Sequence, residues 1–401
     1  MQNSLKRNIL ACYISDIILG TYFQLPIWIV YQSQFLSFEK IAFFAGLALI
    51  VEVLTQMPTG AFADIYGRKL SLALGNLFMA LPMFLIAVSP TAGIMWIYSI
   101  MWGLGNAFSM GTTRPLLYDS LKEEGKENLF PKILSKSTVI FQISAAISIA
   151  SGGYLYQISP NLPYYISGIT SMIGVLTSFL FIEPKINKAK FKISEFIKTN
   201  KAGFAEIFKN SYVVKLTILF TLMIGIGQAS QQFFAQPYML ELGMNNIERS
   251  WVTMIIKVAI ALIGAKIIHI KKIYESKYFL LIIPVLLVIS LIPAKFITLP
   301  LAYLIILGIA FASGNTKPFI SPEINENISS EVRSTALSAQ SMISTLFRAF
   351  IQWISAYIIV RESIGSLYTY LGIFSFIVIL PLAINVMYHK HKIVKNENII
   401  I

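Results

Sequence analysis

A chain of 401 residues that is 56% hydrophobic and 13% charged, with a mean hydropathy of +0.69, is far from a soluble domain, in which charged residues make up about a quarter; it reads as a polytopic membrane protein. The net charge of +13 would fit a nucleic-acid binder if the chain were soluble, but the cations here follow membrane topology and no nucleic-acid partner is expected. One cysteine, Cys12, excludes an intramolecular disulfide, and the three histidines, His269, His389 and His391, lack metal-ligand spacing, so no metal site, redox role or cofactor is expected.

The chain opens on a short basic stretch, Met1 to Arg7, followed by an apolar run from Ile9 to Val30. That run is too long for a signal-peptide core and lacks a small-residue cleavage site, so it is expected to stay as the first membrane helix. Apolar runs long enough to span a bilayer recur at roughly 9–31, 38–60, 70–89, 93–117, 137–158 and 162–183, then at 213–240, 247–268, 277–296, 299–320, 334–359 and 365–388. The expected fold is all-α, with twelve transmembrane helices in two six-helix bundles, residues 1–183 and 213–401, the second ending in a tail. The basic linker 184–212 joins them. In it Lys185, Lys188, Lys190, Lys192, Lys198, Lys201 and Lys209 alternate with Phe191, Ile193, Phe196, Ile197, Phe204 and Phe208. That pattern fits either an amphipathic helix on anionic headgroups or a solvated linker. With the N-terminus inside, the inner segments hold roughly 25 of the 32 Lys and Arg, and the outer loops keep Lys40, Arg249, Lys295 and Arg361. Both termini are therefore expected in the cytoplasm, and Trp28, Trp96, Trp251 and Trp353 fall near the outer helix ends, where indole rings favour the headgroup level.

Between the second and third runs, Gly60-Ala-Phe-Ala-Asp64-Ile-Tyr-Gly67-Arg68-Lys69 holds two glycines, an acid and two cations in a tight cluster. It resembles the G-x-x-x-D-x-x-G-R-[RK] loop that joins helices 2 and 3 in the major facilitator superfamily of transporters. Leu116-Leu-Tyr-Asp119-Ser-Leu-Lys-Glu-Glu-Gly125 and Arg333-Ser-Thr-Ala-Leu-Ser338 resemble segments common in its bacterial drug-efflux-like branch. Gly264 to Lys272 stands where a second copy of the first motif belongs and keeps its leading Gly and its cations. The resemblance implies that helices 1, 4, 7 and 10 line a central cavity, that helices 2 and 11 meet across the halves, and that transport proceeds by alternating access. The first motif is expected to act as a conformational latch, with Asp64 by the start of helix 11 near Arg333 to Thr335 and Arg68 paired with Asp119. Ser144, Ser148, Ser151, Gly152 and Gly153 are expected to let helix 5 pack tightly on helix 8. Drug antiporters often carry Gly-Pro where this chain has Ser148-Ile149.

Ionisable groups at a helix centre cost about 2.5–3.5 kcal/mol on insertion, so they are functional candidates. Here they are Asp16, Glu52, Arg114, Lys257 and Arg348. Proton coupling is assigned first to Asp16 and second to Glu52, and Glu52 is expected to pair with Arg348. Asp16, Gly20 and Gln24 recur every four residues and would share one face of helix 1, as Gln228, Gln232 and Gln236 would on helix 7 beside Gln231, Phe233, Phe234 and Tyr238. Candidates for the substrate cavity are Gln24, Asn106, Gln228, Gln232, Gln236, Lys257 and Arg348, Lys257 being expected to face it. No G-x-x-x-x-G-K-[ST] loop, Gly-x-Ser-x-Gly elbow or His-Glu-x-x-His is present, so neither ATP nor enzymatic chemistry is expected. The reading that results is a monomeric transporter in the inner or plasma membrane, exporting drug-like compounds against protons. Its alternatives are proton-symport uptake of a small polar or anionic metabolite and a non-transporting sensor or scaffold.

Overall fold

The computed structural model describes residues 3–184, 193–268 and 278–397, and every regular element among them is helical. Residues 185–192, residues 269–277 with His269, Lys271 and Lys272, and the end beyond 397 lie outside the described residues, as do the side chains of Ile193, Phe196, Ile197, Lys266 and His391. Seven helices among the described residues are long and apolar enough to cross a membrane: Phe38–Tyr66, Arg68–Val88, Glu127–Ile158, Ser211–Glu241, Ala302–Glu326, Thr335–Arg361 and Ile364–Lys390. They keep Leu54, Ile147, Leu304 and Ile377 exposed. Such rows suit hydrocarbon rather than water. The chain is an all-α multi-pass membrane protein, and it divides into two compact units, Met1–Phe191 with Asn245–Ile255, and Lys192–Met244 with Ile256–Ile401.

The first unit contains α1 (Asn3–Leu19), α2 (Trp28–Gln32), α3 (Phe38–Tyr66), α4 (Arg68–Val88), α5 (Ala92–Ser109), α6 (Thr113–Glu123), α7 (Phe130–Ile158) and α8 (Leu162–Ser178). The first apolar run is therefore two helices and not one. Helix α1 stops at Leu19, because Gly20 is a weak helix former and Pro26 disfavours helical geometry at Leu25 and brings no N–H. The exposed backbone of this break is satisfied by α7: Tyr22 N–H donates to Ser148 Oγ (3.0 Å), while Ser148 Oγ donates to Gly20 O (2.9 Å) and Ser144 Oγ to Ile17 O (2.7 Å). Ser144 and Ser148 thus bond the end of α1; Ser151 bonds within its own helix, to Ile147 O (2.8 Å). Gly153 does lie against the start of α12 (Asn246–Ile268), beside Asn246 and Ser250, and Trp251 Nε1 donates to Tyr154 OH (3.0 Å). One apolar cluster, with Leu5, Leu72, Leu116, Leu121 and Phe181, fills one end of the unit; a second, with Tyr31, Phe44, Met83, Ile86 and Tyr164, fills the other.

The second unit begins with α9 (Ile193–Lys209), whose Gly203 packs on Thr335, and continues into α10 (Ser211–Ala229), capped by the Asn210 side chain, which accepts from Tyr212 N–H at 2.8 Å. A π-helical turn, Ser230–Phe234, leads into α11 (Ala235–Glu241). After the remainder of α12 come α13 (Ile282–Leu291), α14 (Ala302–Glu326), α15 (Arg333–Arg361), α16 (Ile364–Phe374), a second π turn at Ser375–Ile379, and α17 (Leu380–Glu397). Glu241 closes the start of α16: its carboxylate accepts from Ile364 N–H (2.7 Å) and Gly365 N–H (3.3 Å), where a helix N-terminus favours an anion. At the far end Glu323 accepts from Tyr212 OH (2.7 Å) and pairs with Lys390, tying α10, α14 and α17 together.

Candidate functional site

In the second unit the site is built on Arg348 of α15. Its Nη1 donates to Gln228 Oε1 (3.0 Å) and to Gln232 Oε1 (3.1 Å), and the guanidinium is half-buried. A guanidinium has only donors, so both amide oxygens must turn to it and both amide nitrogens turn away. The arrangement therefore offers N–H donors to anything beside it. Gln236 is buried, 6% exposed, just beyond the π turn Ser230–Phe234 that contains Gln232. Phe233, Phe234 and Tyr238, expected beside the glutamines, are fully buried; Tyr238 OH donates to Ala294 O (2.9 Å). They are packing residues. Lys257 is half-buried on α12.

In the first unit Asp16 is buried and accepts from Ser137 Oγ of α7 and from Cys12 Sγ (3.7 Å). Arg114 lies near enough for its charge to act on both Asp16 and Cys12. Gln24 lies beyond the end of α1 and accepts from Ser167 Oγ of α8 (2.6 Å). The expected common face of Asp16, Gly20 and Gln24 is therefore corrected at Gln24: Asp16 and Gly20 lie one helical turn apart and both face α7, but the helix ends before Gln24, which is held by α8. Glu52 is half-buried on α3 and Asn106 half-buried on α5. Glu52 belongs to the first unit and Arg348 to the second.

The motif 60–69 is not a loop. Helix α3 runs on to Tyr66, which puts Gly60 and the exposed Asp64 in its last turns, and the reversal is made by Gly67 alone, at φ 104°. A Cβ at Gly67 would come within 2.8 Å of Glu183 Oε1, an atom that accepts Lys69 N–H at 2.6 Å. Arg68 forms an ion pair with Asp119 on α6, and Lys69 Nζ lies 5.9 Å from the centre of the Phe179 ring. Sequence reasoning missed Glu183; its signal was an acid at the end of the sixth run. It also placed Arg249 in an outer loop. Arg249 is 1% exposed in the first turn of α12, donates to Asn246 Oδ1, and has Nε and Nη1 without a hydrogen-bond partner among the described residues.

The family model described as Major Facilitator Superfamily matches residues 10–352. Multidrug resistance protein 1 of Bacillus subtilis (strain 168) is 23% identical over 199 residues, 49% of this chain and 49% of that protein. Quinolone resistance protein NorA of Staphylococcus aureus (strain MSSA476) is 23% identical over 187 residues, 45% of this chain and 46% of that one. The chain spans about half the length of the curated relatives it matches. Among solved structures, the nucleoside transporter NupG superposes with a TM-score of 0.76 at 14% identity, covering 96% of this chain and 99% of that one. The POT family transporter PepTSo gives 0.69 at 10% identity, covering 98% and 99%. At such identities these likenesses speak for the fold.

Proposed function

This chain belongs to the major facilitator superfamily and is a membrane transporter, not an enzyme, and from that premise we propose that it exports drug-like organic solutes bearing hydrogen-bond acceptors, driven by protons. The observation that carries the substrate side is the Arg348–Gln228–Gln232 cluster, in which one cation holds both amide oxygens and so leaves the two amide nitrogens turned away from it. The partial relatives, named for multidrug and quinolone resistance, support export. Asp16 is the proton carrier, its carboxylate held by Ser137 until protonation weakens the charge-assisted bond; Glu52 is second. The protein acts as a monomer in the plasma membrane, both termini cytoplasmic, and uses no cofactor.

The test is accumulation of a tetracycline or a quinolone in cells with and without the protein, followed by flux in vesicles after a pH jump. Expected are several-fold lower accumulation with the protein and loss of pH-driven flux in Asp16→Asn with substrate binding kept. Equal accumulation overturns export, and unchanged driven flux in both Asp16→Asn and Glu52→Gln overturns coupling through these groups. The same donor cluster favours a second reading, symport uptake of a small anionic metabolite, since a carboxylate or phosphate suits a guanidinium. It predicts solute gain rather than loss when the outside is acidified.

A further inference from the structure

Helix α9 carries an exposed basic face. Its C-terminal end abuts Asn210, which caps the membrane-crossing helix starting at Ser211. Its middle abuts a second such start: a Cβ on Gly203 would come within 2.7 Å of Thr335 Cβ, and Thr335 opens the span Thr335–Arg361. Glu206 Oε1 adds a bond from Ser329 N–H at 3.4 Å. Gly203 and Asn210 are about 10 Å apart along the axis at 1.5 Å per residue, and both sit where spans begin. The helix therefore runs along the membrane surface rather than away from it.

At 100° per residue the buried Gly203 and Ile207 form one face, docked on the second unit. The opposite face holds Lys198, Lys201, Ala202, Ala205, Phe208 and Lys209, all exposed, Phe208 at 67%. Among its described side chains there is no acid. Glu206 lies at the edge, where its Oε2 is 2.7 Å from Lys209 Nζ. A phenylalanine left bare among lysines is unexplained on a face turned to water. At headgroup depth it is accounted for, with the ring in the interface and the ammonium groups on phosphates.

We propose that this face binds the anionic headgroups of the cytoplasmic leaflet and holds α9 against the start of α15. The experiment uses the full chain carrying Ala205→Cys, labelled with an environment-sensitive fluorophore; Cys12 is buried and does not compete. Emission is compared in vesicles of phosphatidylcholine alone and of phosphatidylcholine with phosphatidylglycerol. The expected result is a blue shift that needs phosphatidylglycerol and is reversed by high salt. In a Lys198→Gln/Lys201→Gln background, about fivefold more anionic lipid is needed for each lysine removed. Identical emission in both vesicles means a solvated face and overturns the proposal. A blue shift present without phosphatidylglycerol means protein cover and overturns it too. If Ala205→Cys fails to insert, Ala202→Cys reports on the same face.

Discussion

A guanidinium has five N–H donors and no acceptor, so Arg348 decides how Gln228 and Gln232 are turned, and hence what they offer a substrate. Lysine would keep the charge but not the planar fork. Arg348→Lys is expected to raise KM about tenfold for acceptor-bearing substrates, the loss of roughly one charge-assisted hydrogen bond. A purely apolar substrate should be unaffected, and initial rates in vesicles distinguish the two. Equal loss on both substrates would mean that Arg348 holds the fold instead. That Arg348, Gln228 and Gln232 are candidates was legible in the sequence, because ionisable and amide side chains are rare in such runs, and the structure brings the three together. That a π turn interrupts the glutamine row was not legible, because it depends on the backbone rather than on the side-chain pattern.

Each π turn contains the residue four before a proline: Phe233 precedes Pro237, and Ile377 precedes Pro381. Proline cannot donate to that carbonyl, and the wider turn absorbs the missing bond. Pro237→Ala is expected to restore an α-helical turn, stabilise the purified protein by up to about 3 kcal/mol, and reduce transport by rotating Gln232 against Gln236. Thermal unfolding and flux check both halves; unchanged flux would detach the π turn from the site. Helix α9 gives a second prediction. The hydrogen bond from Lys209, with Ser329 adding to it, holds the Glu206 carboxyl below the usual carboxylate range. A depressed value contributes while the group is charged, above the ordinary glutamate pKa of about 4.3, and is lost as pH falls through the depressed value. The Glu206 contribution to α9 should therefore be flat across neutral pH and be lost only in acid, as read by comparing thermal unfolding of the parent and Glu206→Gln across that range.

Across the molecule, the motif 60–69 is joined by Arg68 to Asp119 and by the Lys69 backbone to Glu183, leaving Asp64 exposed on the last turn of α3. Asp64→Asn is expected to cut transport several-fold while leaving membrane insertion unchanged, as measured by flux per inserted molecule; full activity would remove the latch role. By itself the sequence determined the class, because hydropathy and charge distribution constrain any chain that must hide its backbone in lipid. It also carried the motif 60–69, in which Gly67 makes the reversal and Arg68 and Lys69 hold it. Only the tertiary structure decided that the first run breaks at Gly20, that Ser148 on α7 satisfies that break, and that Asp16 and Gln24 part company. Helical periodicity assumes an unbroken helix, and whether a backbone can afford a break depends on a partner more than a hundred residues away, which no local pattern records.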